Sequence, residues 1–145
     1  MATVRDMIRK KGSEIFSISP AASVFEALES MAEHNTGALL VMDGDKMAGI
    51  ISERDCVRKV ELEGRHVRET TVGDIMTSEV ITVSCDQPLE ECMSLMLEKG
   101  IRHLPVYDDR KLMGFVSVRD VLREMIEMQQ IMLSQLERYI TGSGR

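Results

Sequence analysis

Residues 49–55 read Gly-Ile-Ile-Ser-Glu-Arg-Asp and residues 114–120 read Gly-Phe-Val-Ser-Val-Arg-Asp, and this recurrence decides the fold. The two stretches are 65 positions apart, and the same offset aligns 14–55 with 79–120 without a gap. Thirteen of the 42 aligned pairs are identical, and many of the others exchange one apolar residue for another. The chain therefore contains an internal repeat, and any site that one copy helps to build is expected twice.

The totals are those of an ordinary globular protein. The chain has 145 residues, of which 43% are apolar and 29% charged. Each copy is too small to bury much surface alone, so we expect the two halves to share a core. The net charge of −6 disfavours broad nucleic-acid binding, because phosphate backbones repel an acidic surface. The sequence has neither a long apolar run nor a signal peptide, so we expect a cytoplasmic protein.

The three cysteines predict no disulfide framework and no zinc site. Cys56, Cys85 and Cys92 are odd in number and form no CxxC pair. Cys92 falls within an apolar stripe. We therefore expect all three to be structural.

Each copy begins with a strand and a helix. Alternating residues predict short strands at 15–18 and 80–83. Ser23 and Glu26 fit a capping box at the start of the first helix. In the second copy Asp86 is the expected cap, and Pro88 is expected in the first helical turn.

A hairpin and a second helix complete each copy. The strands are predicted at 38–42 and 47–51 around an Asp-Gly turn, which tolerates the positive φ of tight hairpins. The second copy repeats them at 104–107 and 112–116. Pro105 cannot donate a ladder hydrogen bond, so it is expected at an edge or a strand start. Further helices follow Ser52 and Ser117, which makes each unit β-α-β-β-α.

The regions outside the copies set the domain boundaries. A short segment, 3–8, introduces the first copy, and 71–76 introduces the second at an offset of 68. Polar residues around Gly64 indicate a linker without chemistry of its own. The predicted organisation is a first repeat at 1–62, a linker at 63–71, a second repeat at 72–127, a helical extension at 128–141 and a disordered tail at 142–145.

Apolar residues continue past the second repeat for about five helical turns, from Leu122 to Ile140. This is more apolar surface than the end of a small module can cover. Two interpretations remain: a capping helix that lies on its own domain, or a surface for a dimer or another partner. The abundance of Met, 12 residues in the chain, suits an adaptable interface.

The repeated motif has the chemistry of a nucleotide cradle. A strand that ends in Gly and leads to a helix N-terminus offers free N–H groups, which attract phosphate. The Asp of the motif can accept both hydroxyls of a ribose, and the neighbouring Arg can meet a phosphate. Glycine allows a ligand or a neighbouring backbone to approach closely. The alternative is that Ser-x-x-Asp is an ordinary helix cap.

The sequence resembles a tandem pair of CBS domains, also called a Bateman module, over roughly residues 3–125. The resemblance is carried by Asp-Ile-Met-Thr at 74–77, by Ile-Arg-His-Leu-Pro-Val at 101–106 and by the two Gly-to-Asp motifs. It implies an α/β (α+β) fold in which two β-α-β-β-α repeats pack through their sheets with pseudo-two-fold symmetry. It also implies clefts between the repeats that bind adenosine-containing ligands.

The resemblance implies particular site residues. The Ser and Asp of each motif would hold phosphate and ribose, and the base would lie against the first strand and the hairpin entry of the opposite repeat. His103 is the histidine expected to face phosphate; His34 and His66 are expected to be incidental. With their neighbours, the implied ligand-binding residues are Lys11, Phe16, Ala38, Leu39, Ser52, Arg54, Asp55, Thr77, Ile81, Arg102, His103, Pro105, Ser117, Arg119 and Asp120.

The favoured function is a non-catalytic sensor that signals through the geometry of a homodimer to an unknown protein. Its regulatory ligand would be AMP, ADP or ATP, or else NAD(H) or S-adenosylmethionine; no cofactor is obligatory, and no membrane partner is expected. The alternative is a ligand-free interaction module that docks through the Met-rich helix. CBS pairs also occur inside enzymes such as inosine monophosphate dehydrogenase, but no catalytic motif is present here. The unequal polar lining of the copies predicts unequal ligand affinities.

Overall fold

The structure is a computed structural model, and it describes residues 2–12 and 14–142. Within these residues, helices and strands follow one another in the same order in both copies, after a short helix that precedes each. The helices are α1 (Val4–Lys11), α2 (Val24–Glu33), α3 (Glu53–Cys56), α4 (Val72–Ile75), α5 (Leu89–Lys99) and α6 (Val118–Thr141). The strands are β1 (Ser17–Ile18), β2 (Ala38–Asp43), β3 (Lys46–Ser52), β4 (Val83–Ser84), β5 (His103–Asp108) and β6 (Lys111–Ser117).

The two sheets have the same topology, which confirms the predicted mixed α/β repeat. Each is three-stranded, in the order β1-β2-β3 and β4-β5-β6, with a parallel outer strand and an antiparallel hairpin. Ala38 lies opposite Ser52, and His103 lies opposite Ser117. The register shifts in both hairpins at the same point, after Val41 in one and after Val106 in the other. The sequence repeat is therefore also a repeat of strand register.

Left-handed residues occupy matching positions in the two copies. The hairpin turns contain Gly44 with φ 63° and Asp109 with φ 60°. The helix ends contain Asn35 with φ 51° and Gly100 with φ 64°. These are the residue types that adopt positive φ at least cost. The predicted hairpin turns are confirmed.

The first strand of each copy is shorter than predicted, two residues in place of four. The N–H of Leu40 still bonds the carbonyl of Phe16, 3.2 Å away, just before β1. Pro105 is the residue aligned with Leu40, and it has no N–H to donate. Pro105 lies inside β5, the central strand of its sheet. Strand β4 pairs only with Val106 and Tyr107, so Pro105 has no partner in β4. The expected edge position is therefore wrong for the sheet, although the missing donor is tolerated there.

The predicted helix starts are confirmed in part. The Ser23 hydroxyl accepts the N–H of Glu26 at 3.1 Å, as a capping serine should. In the second copy Pro88 itself is the N-terminal cap, and the helix begins at Leu89. The expected cap, Asp86, instead binds the Arg5 guanidinium. The prediction for Asp86 was wrong because the helix begins two residues later than a cap at Asp86 requires.

The chain divides into two compact units that do not follow the order of the repeats. Residues 14–81 form the first-repeat unit, and residues 2–12 with 82–142 form the second-repeat unit. Helix α1 precedes the first repeat but packs against β6 and α6 of the second. The N–H groups of Val4 and Arg5 bond the carbonyls of Gln87 and Cys85. Helix α4 in turn belongs to the first-repeat unit, where Val72 and Ile75 join the core.

The segment between the repeats has a structural role. The carbonyls of Thr70 and Val67 accept the first N–H groups of α2, from Val24 and Phe25. Thr70 is buried, and its hydroxyl bonds the carbonyl of His66 at 2.7 Å. Arg68 lies over the Phe25 ring, 3.7 Å from its centroid. The linker thus completes the N-terminus of the helix that it passes.

The last helix is the longest element, with 24 residues. Among its side chains only Val121 and Glu124 are buried. In the first copy the matching region is α3 followed by a π-helical turn at Val57–Glu61. The predicted helical extension is therefore present up to Thr141. Of the tail predicted to be disordered, 143–145 lie outside the described residues.

Candidate functional site

Both repeated motifs form a reciprocal cap at the start of a helix. The Ser52 hydroxyl accepts the N–H of Asp55 at 3.2 Å, and the Asp55 carboxylate accepts the N–H of Ser52 at 3.0 Å. Ser117 and Asp120 make the same two bonds, at 3.2 and 2.8 Å. The capping interpretation of Ser-x-x-Asp is therefore confirmed. It fixes the position of each carboxylate relative to the helix N-terminus.

Each capping carboxylate also holds a lysine, but the two lysines come from different elements. Lys11, at the end of α1, places its Nζ 2.6 Å from Asp120 Oδ2 and 2.8 Å from the carbonyl of Phe115. Lys59, one turn after Asp55, lies 3.1 Å from Asp55 Oδ1. Lys11, one of the predicted site residues, is the last residue of α1. The prediction overlooked Lys59, although its i,i+4 spacing from Asp55 is a recognisable signal.

Both carboxylates are sheltered from solvent without being sealed from it. The side chains of Asp55 and Asp120 are 15% and 13% exposed. Burial alone would raise the pKa of Asp120. The hydrogen bonds from Lys11 and Ser117 and the charge of Lys11 outweigh burial, so the pKa lies below the usual range. Asp120 is therefore an anion at neutral pH that could accept hydroxyl groups of a ligand.

An aromatic pair lies beside Lys11 and Asp120. The His103 ring stacks on Phe115, with centroids 5.3 Å apart and an interplanar angle of 28°. Burial lowers the pKa of His103 to about 4; the positive charges of Lys11 and Arg102 act in the same direction, and Asp120 opposes them. His103 is thus neutral at pH 7, with one nitrogen able to donate and one able to accept. The positive charge near this ring belongs to Lys11 and Arg102.

The prediction overlooked Phe115, although it lies within the motif itself. The chain has only three phenylalanines. The residue aligned with Phe115 in the first copy is Ile50, and the residue aligned with His103 is Ala38. A stacked pair at these two positions is therefore specific to the second-repeat unit, where it forms a flat, half-buried surface suited to an aromatic base.

The matching region of the first-repeat unit is closed by backbone. Ile50 and Thr77 exchange two backbone hydrogen bonds, of 3.0 and 2.8 Å. In the second-repeat unit the Lys11 ammonium binds the carbonyl of Phe115, which aligns with Ile50. The carbonyl at this position thus accepts a hydrogen bond from a flexible side chain in one copy and from backbone in the other. The predicted inequality of the two ligand affinities stays a prediction.

The remaining predicted residues are distributed between the two units. Leu39 packs in the hydrophobic core and Ala38 is 1% exposed, so their side chains are not on the surface. Pro105 is also buried. Phe16 stacks on His34, with ring centroids 3.9 Å apart, and His34 is the C-terminal cap of α2, so its expected lack of a ligand role stays a prediction. Three arginines are exposed, Arg54, Arg102 and Arg119, while Ile81 is half-buried in the first-repeat unit.

The cysteines are free and buried, as a structural role requires. Burial raises the pKa of Cys56 and of Cys92 to about 11, and it raises that of Cys85. All three thiols are therefore protonated at neutral pH and poor nucleophiles. Among residues 2–12 and 14–142, no three His, Cys, Asp or Glu side chains gather as metal ligands would. In the same residues, no helix is long and apolar enough to span a membrane.

The comparisons with known proteins agree with this fold and this motif. The sequence pattern of the CBS domain family matches residues 4–62 and 72–127. The mitochondrial CBS domain-containing protein CBSX3 of Arabidopsis thaliana is 38% identical over 97% of this chain and 72% of its own length. The chain therefore belongs to the CBS domain family, as a tandem pair.

Two solved structures are informative. A proposed signal-transduction protein with CBS domains from Burkholderia ambifaria MC40-6 superimposes with a TM-score of 0.84 at 42% identity, covering 87% of this chain and 95% of that one. The CBS domain pair of protein MJ0100 was solved with 5'-methylthioadenosine and S-adenosyl-L-methionine. It superimposes with a TM-score of 0.76 at 27% identity, covering 88% of this chain and 98% of that one.

Proposed function

We propose that this chain is a non-catalytic regulatory module that binds an adenosine-containing ligand through the second-repeat unit. The observation that carries the proposal is the group formed by Lys11, His103, Phe115 and Asp120. It combines an anion for ribose hydroxyls, a cation for phosphate and a flat ring surface for a base. The adenosine ligands of the MJ0100 pair support this chemistry.

Lys11 is the residue that would respond to ligand charge. Its ammonium bonds a carboxylate and a carbonyl, and both bonds can be exchanged for bonds to phosphate oxygens. A ribose could then take the acceptor positions on Asp120. The first-repeat unit offers Asp55 with Lys59, but its stacked rings, Phe16 and His34, do not occupy the positions aligned with Phe115 and His103. We therefore propose that AMP, ADP or ATP binds the second-repeat unit more tightly than the first.

A thermal-shift panel tests this proposal directly. The compounds are AMP, ADP, ATP, NAD(H), S-adenosylmethionine and 5'-methylthioadenosine. At about 100 times Kd a ligand adds roughly 2.7 kcal/mol of stability, on the order of 5–10 °C for a domain of this size. Asp120→Asn should remove the shift, and Lys11→Met should reduce it most for the phosphorylated compounds.

Asp55→Asn is the matched control, because it alters the equivalent cap in the other copy. It should leave the larger share of the shift intact. A panel without any shift, or a shift that Asp120→Asn and Lys11→Met leave unchanged, would show the proposal to be wrong. Circular dichroism of each variant separates loss of ligand binding from loss of the fold.

The module is further proposed to act as a homodimer whose geometry changes with the ligand. A ligand shifts such an equilibrium only through different affinities for the two forms. The compartment stays a prediction: cytoplasm was expected, whereas the Arabidopsis relative is named as mitochondrial.

The second candidate function is an interaction module that needs no ligand. It is favoured by the exposed apolar side chains of the last helix, which the folded unit does not cover. Five of them are 53–79% exposed: Ile131, Met132, Leu133, Leu136 and Ile140. If no compound of the panel shifts the melting temperature and the chain associates through this helix, this candidate is favoured over the first.

A further inference from the structure

The exposed side of α6 carries a regular apolar stripe. Along it, positions alternate in steps of four and three, as in the heptad repeat of a two-stranded coiled coil. Five of the six positions are apolar, and these five are 46–79% exposed. The stripe consists of Leu122, Ile126, Gln129, Leu133, Leu136 and Ile140.

The folded unit lies on the other side of the same helix. Val121 and Glu124 are the buried residues of α6, and Lys10 of α1 binds Glu124 at 2.6 Å. At about 100° per residue, Glu124 lies about 160° from the middle of the stripe and Val121 about 100° from it. The stripe is therefore a second apolar face, separate from the one that holds α6 in place.

The charge pattern of the helix argues against a lipid surface as its partner. Amphipathic helices that bind membranes carry Lys and Arg along their polar face. Residues 128–141 contain a single basic residue, Arg138, beside an acidic one, Glu137. The other polar residues are Gln, Ser and Thr, with Tyr139 at the edge. The stripe instead fits another apolar helix.

We propose that α6 pairs in antiparallel orientation with α6 of a second copy of this chain. In this register Leu122 lies opposite Ile140 of the second copy, Ile126 opposite Leu136, and Gln129 opposite Leu133. The two-fold symmetry repeats these three layers in reverse order, so the interface contains six layers and uses every position of the stripe. The proposal rests on the proposed homodimer and specifies its interface.

The flanking positions are self-complementary in this register. Arg123 lies opposite Glu137 of the second copy, and the two-fold symmetry provides this ion pair twice. On the other flank Met132 meets its own counterpart, and Met125 meets Tyr139, which is a favourable sulfur–aromatic contact. A parallel pair would instead place Glu137 against Met132, and Arg123 against Val118, without any ion pair. The charges therefore select the antiparallel arrangement.

Molecular mass in solution tests the interface, measured on the full chain by analytical ultracentrifugation. The wild type should be a dimer at tens of micromolar. Leu133→Asp places a charge within the stripe, and should weaken the dimer more than about 100-fold. Ser134→Asp adds the same charge one residue away, outside the stripe, and should leave the dimer intact.

Charge reversal tests the orientation. Arg123→Glu or Glu137→Arg alone replaces two attractions with two repulsions, and should weaken the dimer by about tenfold. The double variant should restore it. A wild-type monomer would overturn the homodimer itself. A dimer that Leu133→Asp does not affect, or a double variant without restored affinity, would overturn this interface while leaving ligand binding to the panel described above.

Discussion

Gly49 and Gly114 begin the two copies of the motif, yet they are glycines for different reasons. A Cβ at Gly49 would lie 2.5 Å from the carbonyl oxygen of Thr77, which belongs to a backbone bridge. A Cβ at Gly114 would lie 3.1 Å from Cδ1 of Ile8, the end of a flexible side chain. At both positions a protein neighbour, not a ligand, occupies the space beside the glycine. One motif thus accommodates two kinds of contact.

The residue-scale prediction is a difference between two alanine substitutions. Gly49→Ala should destabilise the protein by about 1–3 kcal/mol, because rigid backbone must move away. Gly114→Ala should cost less, since Ile8 can rotate and the unfolded chain loses entropy. Urea denaturation followed by circular dichroism measures both. Equal losses of unfolding free energy in the two variants would show that the Thr77 carbonyl moves aside as easily as the Ile8 side chain.

At the scale of elements, the short helices α1 and α4 exchange places relative to the repeats. Helix α1 precedes the first copy in the sequence but packs in the second-repeat unit. Helix α4 precedes the second copy but packs in the first-repeat unit. Thr3 and Thr71 form equivalent bridges, to Pro88 and Ser23. The ion pairs of α1 strengthen its attachment, since Arg5 binds both Asp86 and Asp108.

Two side-chain truncations, one in α1 and one in α4, should each loosen a different sheet. Met7 and Ile75 are each 2% exposed, so changing either to Ala should cost about 2–5 kcal/mol. Met7→Ala should speed amide hydrogen exchange chiefly in β5 and β6, although Met7 precedes the first repeat. Ile75→Ala should do so chiefly in β2 and β3. If Met7→Ala instead speeds hydrogen exchange chiefly in β2 and β3, α1 does not pack in the second-repeat unit.

At the scale of the whole molecule, ligand binding and self-association should be separable. The proposed ligand residues lie in 2–127, while much of the exposed apolar surface lies in 128–141. Removal of residues 128–145 should convert the dimer to a monomer and leave the thermal shift with adenosine compounds unchanged. A chain that ends at Gly142 is the matched control and should stay dimeric. A truncated chain that is still a dimer would place the interface elsewhere.

Much of the architecture could be predicted from sequence, because it depends on local patterns. The hairpins follow from alternating apolar residues and a Gly or Asp in the turn, and the caps at Ser52 and Ser117 follow from Ser-x-x-Asp. The long last helix follows from its continuous apolar periodicity. Less local features were missed. Asp86 was predicted as a cap, whereas α5 begins only at Leu89 and the Asp86 carboxylate binds Arg5, 81 positions away.

The sequence by itself determined that the chain is a duplicated CBS unit, since identical residues at one offset impose the same strands, turns and caps in both copies. Only the tertiary structure decided that Lys11 binds Asp120, across 109 positions, while Lys59 binds Asp55 from the π-helical turn that follows α3. The physical reason is the path of the chain. A cap or a turn depends on neighbours within a few residues, whereas the partner of a buried carboxylate depends on which distant helix packs beside it.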